Sequence, residues 1–423
     1  MNDQRRRDQR KPPSTSVPRP ALLAPEPTEP RTPDPGLRTL TVSRTTARFI
    51  ADGHPWVRPD RFTRGLETLQ TGEPVTLIDE GGKRLASALA DPANEVCARV
   101  YHRRPDMPFV PAQALTRAWD KRAALHANPE TDCYRVVHGE GDFLPGLRVE
   151  RYASVFVVLV LADCATPYVD EICRSLQRRV PDAVVVRRDH RSDLRREDVT
   201  TRRFGGGELD PDAVVIGKEL GVLYPLRPFA GLATGIYVDQ RATRTWLMPQ
   251  ALGKRVLNLF AYTGAFSLAL LKAGATSAVD VDLAGPALAR AAEAAVLNGV
   301  ADRHAIHQGD CRKYLTGTSD TFDLIICDPP TAAQGGDGWI LRRDYPEVLR
   351  AAGARLAPGG MLIACCNTLG GKPFPLGEVV AGAVREAAIA TVDVPTPALG
   401  EDIPGLSGFP EGRPYRLVAI CRR

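Results

Sequence analysis

Several short apolar segments in the C-terminal half of this 423-residue chain end in residues that could bind a ligand. The first, residues 255–260, is predicted to be a buried strand that leads into a turn at Gly264 and then into a helix. The free N–H groups and partial positive charge at a helix N-terminus suit a carboxylate ligand. Glycine at this turn would let a ligand approach the backbone where a Cβ would interfere. The turn therefore predicts a binding site for an anionic group.

Two aspartates follow the next two predicted strands. Asp282 ends the strand at residues 278–282, where a carboxylate can accept hydrogen bonds from both hydroxyls of a ribose. Asp310 follows the strand at residues 305–308, and its carboxylate could accept the exocyclic amine of adenine. Ligands of open α/β sheets bind outside the carboxyl ends of the strands, which is where these residues fall.

The strand predicted at residues 324–327 is followed by Asp328, Pro329 and Pro330. Each proline fixes its φ angle and lacks an N–H donor, so the chain should leave the sheet as a stiff, extended platform. A ribose acceptor, a base acceptor and this platform, in this order, predict the site of a methyltransferase.

Two other interpretations fit part of the pattern. A generic strand–turn–helix connection can carry a solvated aspartate without any ligand, and a nicotinamide dinucleotide could bind at the same place. The dinucleotide fingerprint GxGxxG is absent, however, because the turn at residues 261–266 reads AYTGAF. A nicotinamide-dependent oxidoreductase is therefore the less favoured alternative.

The order of predicted elements indicates an α/β protein with several domains. Residues 1–36 are rich in proline and charged residues, which predicts a disordered tail. Residues 37–105 predict a small β-rich domain, and residues 106–224 predict a central α+β domain. From residue 225 to 423, strand-like and helix-like segments alternate, which predicts a Rossmann-like, doubly wound parallel sheet.

Composition narrows the class of protein further. The longest apolar run, residues 155–162, is too short to span a membrane, and no signal-peptide pattern opens the chain, so we expect a cytoplasmic protein without a membrane segment. The nine cysteines lack a CxxC spacing, which predicts neither a metal site nor a disulfide framework. The net charge of +5 permits an RNA partner without requiring one.

The residues of the predicted site resemble those of class I S-adenosylmethionine-dependent methyltransferases. Within that class, the chain is similar to bacterial 23S rRNA (cytosine 5-) methyltransferases that carry an N-terminal PUA domain. The resemblance covers nearly the whole chain from about residue 38 and rests on five segments: HPWV at 54–57, GEGDFLPGL at 139–147, TGIYVDQR at 234–241, DIP at 402–404 and FPEG at 409–412. It implies that the substrate is large-subunit rRNA, free or in an assembling subunit, and that residues 37–105 form an RNA-binding PUA-like domain. A homodimer is compatible with the resemblance.

The resemblance also implies roles for individual residues, with S-adenosyl-L-methionine as the cofactor. Asp282 would hold the cofactor ribose, Asp310 the adenine amine, and Asp328 would lie beside the sulfonium and the target base. The further cofactor-binding candidates are Asp239, Gln240, Phe260, Tyr262, Thr263, Gly264 and Phe266. The catalytic candidates are Asp328, Pro329, Pro330, Cys366 and Asn367.

The segment at residues 364–368 departs from the family pattern. Methylation of cytosine C5 normally requires a cysteine thiolate that adds to C6, and the family places Ser-Cys-Ser here. In this chain Asn367 aligns with that cysteine, and Cys366 comes one position early, which turns its side chain to the other face of a strand. A related branch methylates a guanine nitrogen, which requires an aligned lone pair and no covalent intermediate. Cytosine C5 and a guanine nitrogen both stay open as targets, and so does an RNA-binding ribosome-assembly factor that has lost catalysis.

Two basic segments are candidate RNA contacts. Residues 187–203 are rich in arginine but contain interleaved acidic residues, and a solvated loop explains them as well as an RNA contact does. Arg342 and Arg343 follow the Asp-Pro-Pro platform and are better placed to meet phosphates near a flipped-out base.

Overall fold

The computed structural model describes residues 36–190, 200–231, 234–333, 338–367 and 374–423 of the chain. The predicted tail before residue 36 and the middle of the basic segment, residues 191–199, lie outside the described residues. In the described parts of the chain, no helix is both long and apolar enough to cross a membrane.

The N-terminal module is a five-stranded sheet with a helix against it. Its elements are β1 (Arg38–Thr41), α1 (Arg44–Ala51), β2 (Trp56–Val57), β3 (Pro74–Ile78), β4 (Arg84–Ala90) and β5 (Ala98–His102), and the strands lie in the order β1-β3-β4-β5-β2. The side chain of Ser43 accepts the N–H of Thr46 and caps α1, which ends the first predicted strand early. Aliphatic residues of these strands form a core of their own.

The central module is a second five-stranded sheet. Its elements are α2 (Pro111–Asp120), α3 (Ala123–Ala127), β6 (Cys133–His138), β7 (Leu147–Tyr152), β8 (Val155–Val160), α4 (Val169–Arg179), β9 (Val184–Asp189) and β10 (Thr201–Arg203). The strands lie in the order β10-β9-β8-β7-β6, and the pair β8–β9 is parallel because α4 connects the two strands. This agrees with the predicted α+β unit.

A hairpin and a seven-stranded sheet form the C-terminal half. The hairpin pairs β11 (Val215–Glu219) with β12 (Val222–Leu226). The following elements are α5 (Arg241–Leu247), β13 (Arg255–Leu259), α6 (Ala265–Lys272), β14 (Ser277–Asp282), α7 (Gly285–Leu297), β15 (His304–Gln308), α8 (Cys311–Gly317), β16 (Phe322–Cys327), β17 (Ala332–Ala333), β18 (Trp339–Ile340), α9 (Leu341–Ala354), β19 (Leu356–Cys366), α10 (Leu376–Glu386), β20 (Thr391–Val394) and β21 (Arg416–Arg422).

The seven-stranded sheet has the order β15-β14-β13-β16-β19-β21-β20, and it confirms the predicted α/β class with one difference. Strand β21 pairs antiparallel with both β19 and β20, so the sheet is mixed rather than fully parallel. Strands β19 and β20 run in the same direction, and α10 connects them. No such crossover helix connects β20 to β21 in the described residues between them, so β21 runs in the opposite direction between β19 and β20.

Apolar residues cover both faces of this sheet. One face packs on α6 and α7 and shares its core with the central sheet through Tyr152 and Val157, so the packing continues across the predicted boundary at residues 224 and 225. The other face packs on α9 and α10. Because both faces of the sheet are covered, a ligand would bind at the carboxyl ends of β13, β14 and β16.

Candidate active site

A cavity of about 740 Å³ lies at the carboxyl ends of the parallel strands. Most of the predicted site residues line its wall: Asp239, Gln240, Phe260, Tyr262, Asp282, Asp310, Asp328, Pro329, Pro330 and Asn367. Thr263, Gly264, Phe266 and Cys366 are not part of the lining. The strand ends therefore bring together residues that are more than a hundred positions apart in the sequence.

The turn after β13 has an unusual backbone. Phe260 and Tyr262 have φ angles of 58° and 54°, in the left-handed region that side chains other than glycine rarely adopt, and Gly264 follows at 70°. In residues other than glycine, such conformations each cost of order 1–3 kcal/mol and persist where the surroundings fix them, commonly at binding sites. Here the turn presents two aromatic side chains to the cavity.

Asp282 connects this turn to the next strand. Its Oδ2 accepts the N–H of Tyr262 at 2.8 Å, and its Oδ1 accepts the N–H of Ala284 at 2.8 Å. Each carboxylate oxygen has two lone pairs, so both retain capacity for a hydroxyl donor from the cavity. The carboxylate is thus held in a fixed orientation from the protein side.

Gly264 contributes in a different way from the one expected. A Cβ at this position would lie 2.3 Å from Oδ2 of Asp280, so the glycine makes room for a buried carboxylate and not for a ligand. Asp280 accepts hydrogen bonds from Asn258, Ser267 and His304, which tie β13, α6 and β15 together beneath the turn. This support could not be inferred from the turn sequence alone.

Asp310 is the N-cap of α8 and is bound by a side chain of its own helix. It accepts the backbone N–H of Arg312, and the guanidinium of Arg312 reaches its Oδ2 at 2.5 Å. The hydrogen bonds from Arg312 keep the pKa of Asp310 below its ordinary value. The carboxylate is therefore ionised and faces the cavity with part of its acceptor capacity already used.

Asp328 lies among polar groups of residues 239–243. Its Oδ2 accepts the side-chain N–H of Gln240 at 3.1 Å, and the hydroxyl of Thr243 holds the Gln240 carbonyl oxygen at 2.8 Å. Burial, followed by the charge of Asp239, raises the pKa of Asp328 to about 7. This carboxyl group can therefore change protonation state near neutral pH.

An arginine of the central sheet holds Asp239 in place. The guanidinium of Arg135 is almost fully buried and lies 2.8 Å from Glu150 and 3.6 Å from Asp239. A buried guanidinium requires such partners, because an unpaired buried charge is costly. The central sheet therefore sets the position of a cavity-lining carboxylate.

The ends of β16 and β19 are joined by one tyrosine. The hydroxyl of Tyr345 lies 2.8 Å from the backbone oxygens of Cys327 and of Cys365. Asp328, one residue after Cys327, and Asn367, two residues after Cys365, both line the cavity.

The remaining predicted residues are buried beside the cavity. Thr263 donates its hydroxyl to the carbonyl oxygen of Gly235 at 2.5 Å, and Phe266 packs in the core with the Arg244 guanidinium over its ring. Cys366 is fully buried in the core on the α9 and α10 face.

Sequence reasoning missed several lining residues: Tyr237, Leu283, Ala284, Cys311, Arg312, Thr331, Gly338, Trp339, Pro414 and Tyr415. Tyr237 and Arg312 are next or close to residues that were predicted, and that proximity was a usable signal. Trp339 packs on Phe260 with ring centroids 4.7 Å apart, and Tyr415 comes from the C-terminal end of the chain. Neither carries a motif of its own.

The second basic candidate lies near the cavity, and both of its arginines have contacts within the chain. The guanidinium of Arg343 is 2.7 Å from Asp344, which also accepts the N–H of Ile340 at the start of α9. Arg342 lies over the ring of Phe374. Arg343 is still half-exposed and can meet an anion without breaking this contact.

The described residues of the cavity fit S-adenosylmethionine. Four carboxylates face the cavity, from Asp239, Asp282, Asp310 and Asp328, and they complement a ligand that carries a sulfonium and an ammonium group. Asp282 offers fixed acceptors for a ribose, and the rings at the end of β13 offer an apolar surface for a purine.

Comparison with known sequences agrees with this geometry. The model of a family described as S-adenosylmethionine-dependent methyltransferases matches residues 138–395, and that of a PUA-like domain matches residues 40–103. A ribosomal RNA large subunit methyltransferase of Deinococcus radiodurans is 33% identical over 376 residues, which cover 84% of this chain and 90% of that protein. A ribosomal RNA large subunit methyltransferase I of Shewanella denitrificans is 31% identical over 393 residues, which cover 89% of this chain and 96% of that protein.

Solved structures show the same fold. A crystal structure assigned as a methyltransferase in complex with S-adenosylhomocysteine has a TM-score of 0.76 and 21% identity, and the match covers 91% of this chain and all of the other. A structure assigned as an S-adenosylmethionine-dependent methyltransferase from Streptococcus mutans has a TM-score of 0.74 and 22% identity, with the same 91% coverage of this chain.

Proposed function

The chain belongs to the S-adenosylmethionine-dependent methyltransferase family, and from that premise we propose that it transfers a methyl group from S-adenosyl-L-methionine to a base of 23S rRNA. The choice of substrate rests on the similarity to relatives named for large-subunit rRNA methylation. This similarity extends over the N-terminal module as well as the catalytic one. A methyltransferase with an unrelated substrate would be expected to share the catalytic module alone.

Within the cavity, the side chains divide into those that hold the cofactor and those that face the target. Asp282 would accept the ribose hydroxyls, Asp310 the adenine amine, and Asp239 and Gln240 would line the methionine end. Bound there, S-adenosylmethionine supplies an electrophilic methyl group on a cationic sulfur. Asp328 and the rigid Pro329–Pro330 segment would hold the target base in line with it.

The N-terminal module supplies a surface suited to RNA. Phe49 and Phe62 are exposed, with 55% and 41% of their surface accessible, and the guanidinium of Arg61 lies 4.7 Å from the ring of Phe62. An exposed ring paired with a guanidinium group, as at Phe62, is a typical stacking surface for unpaired bases. These residues add a feature that charge alone did not indicate.

Two alternatives are less favoured. An RNA-binding assembly factor without catalysis would have no reason to keep Asp282 and Asp328 at the cavity wall. A nicotinamide-dependent oxidoreductase lacks support from the turn sequence and from the family match. We place the reaction in the cytoplasm, where bacterial rRNA is made, on free rRNA or an assembling subunit, and a homodimer stays a prediction.

Mass spectrometric mapping of methylated nucleosides in 23S rRNA tests the proposal. The rRNA of a strain lacking this protein should lose one methylated nucleoside, and the wild-type gene should restore it while an Asp282→Ala variant should not. Titration calorimetry should show binding of S-adenosylmethionine and none of NAD. Identical rRNA methylation in the two strains would refute the substrate assignment, and tight NAD binding alone would refute the family-based mechanism.

A further inference from the structure

The positions of the cysteines restrict the chemistry of the target atom. Carbon 5 of cytosine has no lone pair, so its methylation requires a thiolate that first adds to C6. All nine cysteines of the chain lie in its described parts, eight of them buried. Among these nine, Cys311 is the one that lines the cavity.

Cys366 is directed away from the cavity by the regular geometry of its strand. The pairing of β19 with β21 runs without a register shift from Met361 to Cys366, which lies opposite Arg416. Side chains alternate between the faces of such a strand. Cys366 accordingly packs with Phe374 in the core beneath α9 and α10. A bulge that would turn its thiol toward the cavity is absent from this described pairing.

The side chain of Cys365 lies on the opposite face of β19 from that of Cys366, but it is buried beneath the cavity and does not line it. Its side chain is fully buried in the core on the α6 face, close to Gln240 and Asp328. Burial and the nearby carboxyl group raise the pKa of this thiol well above its ordinary value, so a thiolate is disfavoured there.

Cys311 lines the cavity at the end where the adenosine of the cofactor is predicted to bind. It is the first residue of α8, its Sγ donates to the carbonyl oxygen of Val281, and it neighbours Asp310. Strands β14 and β16 are separated by β13, which places the end of β14 roughly 10 Å from the end of β16, where Asp328 lies. A thiol beside the predicted adenosine site cannot attack a base beside Asp328.

The segment Asp328–Pro330, which would face the target base, presents hydrogen-bond acceptors. Asp328 presents a carboxylate and Pro329 offers a carbonyl oxygen, while the carbonyl oxygen of Pro330 already accepts the indole N–H of Trp339 at 2.7 Å; neither proline has an N–H. An acceptor-lined site suits a target that carries N–H donors. An exocyclic amine of a base fits this description.

Building on the proposed function, we infer that the target atom is the exocyclic amine nitrogen of an rRNA base and that no cysteine adduct forms. The nitrogen lone pair forms the new nitrogen–carbon bond while the carbon–sulfur bond of the sulfonium breaks and its electron pair stays on sulfur. One amine proton passes to the carboxylate of Asp328 and from there to water. Every atom and electron in this step is supplied by the cofactor, the base and one side chain.

Three measurements on the full-length protein test the inference. The methylated nucleoside should be an N-methyl nucleoside, and Cys366→Ser should methylate rRNA within about twofold of the wild-type rate, as should Cys421→Ser, a control at a partly exposed position. Wild-type enzyme incubated with rRNA containing 5-fluorocytidine should form no covalent protein–RNA complex on a denaturing gel. In the native protein, iodoacetamide should leave Cys366 unmodified.

The outcomes distinguish a failure of this inference from a failure of the proposed function. A 5-methylcytidine product, a covalent complex with fluorinated RNA, or stoichiometric labelling of native Cys366 would overturn the inference and leave the proposed function intact. If Cys366→Ser fails to fold, the wild-type trapping experiment still decides. Loss of methyl transfer in a Cys366→Ser variant that folds and binds S-adenosylmethionine normally would also overturn it. The absence of any methyl group on rRNA would refute the proposed function itself.

Discussion

Burial and the charge of Asp239 raise the pKa of Asp328 to about 7. An unfolded chain would ionise this group near the ordinary value of 3.8. Between these two values the folded protein binds more protons than the unfolded chain, so the free energy of unfolding falls as pH rises through this window. The carboxylate therefore destabilises the fold at the pH where it can accept a proton from the substrate.

We expect Asp328→Asn to raise the melting temperature at pH 8 and to have a smaller effect at pH 5, while methyl transfer is lost at both. Wild-type methyl transfer should rise with pH through about 7 as the carboxylate forms. Thermal denaturation and initial rates across this range provide the measurement. Asp302→Asn, at an exposed position, is the control. An equal change in melting temperature at pH 5 and pH 8 would contradict the assignment.

Asp282 provides a second prediction at the scale of single residues. Asp282→Ala should weaken S-adenosylmethionine binding by about 1–3 kcal/mol, because the ribose hydroxyls lose their acceptor. Titration calorimetry measures the change, with Asp302→Ala as the control and Asp282→Asn to retain an acceptor for one of the two N–H groups, of Tyr262 and Ala284, that the carboxylate binds. Unchanged affinity in a folded Asp282→Ala protein would place the ribose elsewhere.

The sequence was informative about single residues where a strand ends. Asp282, Asp310 and Asp328 were predicted because each follows an apolar segment, and all three line the cavity. It was less informative about backbone conformation and local pairing. The positive φ of Tyr262 and the capture of Asp310 by Arg312 depend on neighbours brought in by folding.

At the scale of elements, a buried ion pair connects the hairpin β11–β12 to α5. Arg244 donates to both carboxylate oxygens of Glu219 at 2.6 and 2.8 Å and to the carbonyl oxygen of Tyr237, and both side chains are fully buried. This pair orients α5, and the turn before α5 carries Asp239 and Gln240 to the cavity.

Removal of one partner of this ion pair should lower the free energy of unfolding much more than removal of both. Arg244→Met should lower the free energy of unfolding by about 3–5 kcal/mol, since it leaves the Glu219 carboxylate buried and unpaired. The double variant Arg244→Met, Glu219→Leu should recover most of that loss. Urea denaturation gives the values, with Arg255→Met as the control, because the exposed Arg255–Asp323 pair should contribute about 0–1 kcal/mol. Equal losses in the single and double variants would argue against an ion-pair origin.

Strand and helix positions in the C-terminal sheet followed from the alternation of apolar segments and turns, and most predicted bounds agree with the structure to within a few residues. The reversed direction of β21 did not follow, because hydrophobic pattern is the same for parallel and antiparallel neighbours. The hairpin of β11 and β12 was also missed. Its apolar residues pack on a core shared with the central sheet, which no local pattern reveals.

At the scale of the whole molecule, residues 402–415 form a segment that we call the C-terminal bridge. Asp402 at its start accepts hydrogen bonds from the backbone of Arg135 and the side chain of Arg241. Phe409 packs on Trp56 of the N-terminal module with ring centroids 4.8 Å apart. Tyr415 at its end lines the cavity. The bridge therefore contacts all three modules, through pairs of residues more than 150 positions apart that sequence pattern does not connect.

Backbone packing fixes the N-terminal module against this bridge. Gly408 has a φ of 73°, and a Cβ there would lie 2.6 Å from the carbonyl oxygen of Asp52. Gly53 makes the reciprocal approach, since its Cβ would lie 2.2 Å from the carbonyl oxygen of Ser407. Contacts this close allow little sliding, so the proposed RNA-binding surface and the cavity keep a fixed separation.

Gly408→Ala should disturb that separation. The left-handed conformation alone should cost about 1–2 kcal/mol, and the clash with Asp52 should push the N-terminal module outward. We expect rRNA methylation to fall by at least tenfold while the dissociation constant for S-adenosylmethionine stays within about twofold, because the cofactor residues are not displaced. Gly405→Ala is the matched control, since it lies in the same bridge with open space around its Cα. Parallel losses of methylation and cofactor affinity in Gly408→Ala would indicate general unfolding, and unchanged methylation would show that the docking of the N-terminal module does not position the RNA.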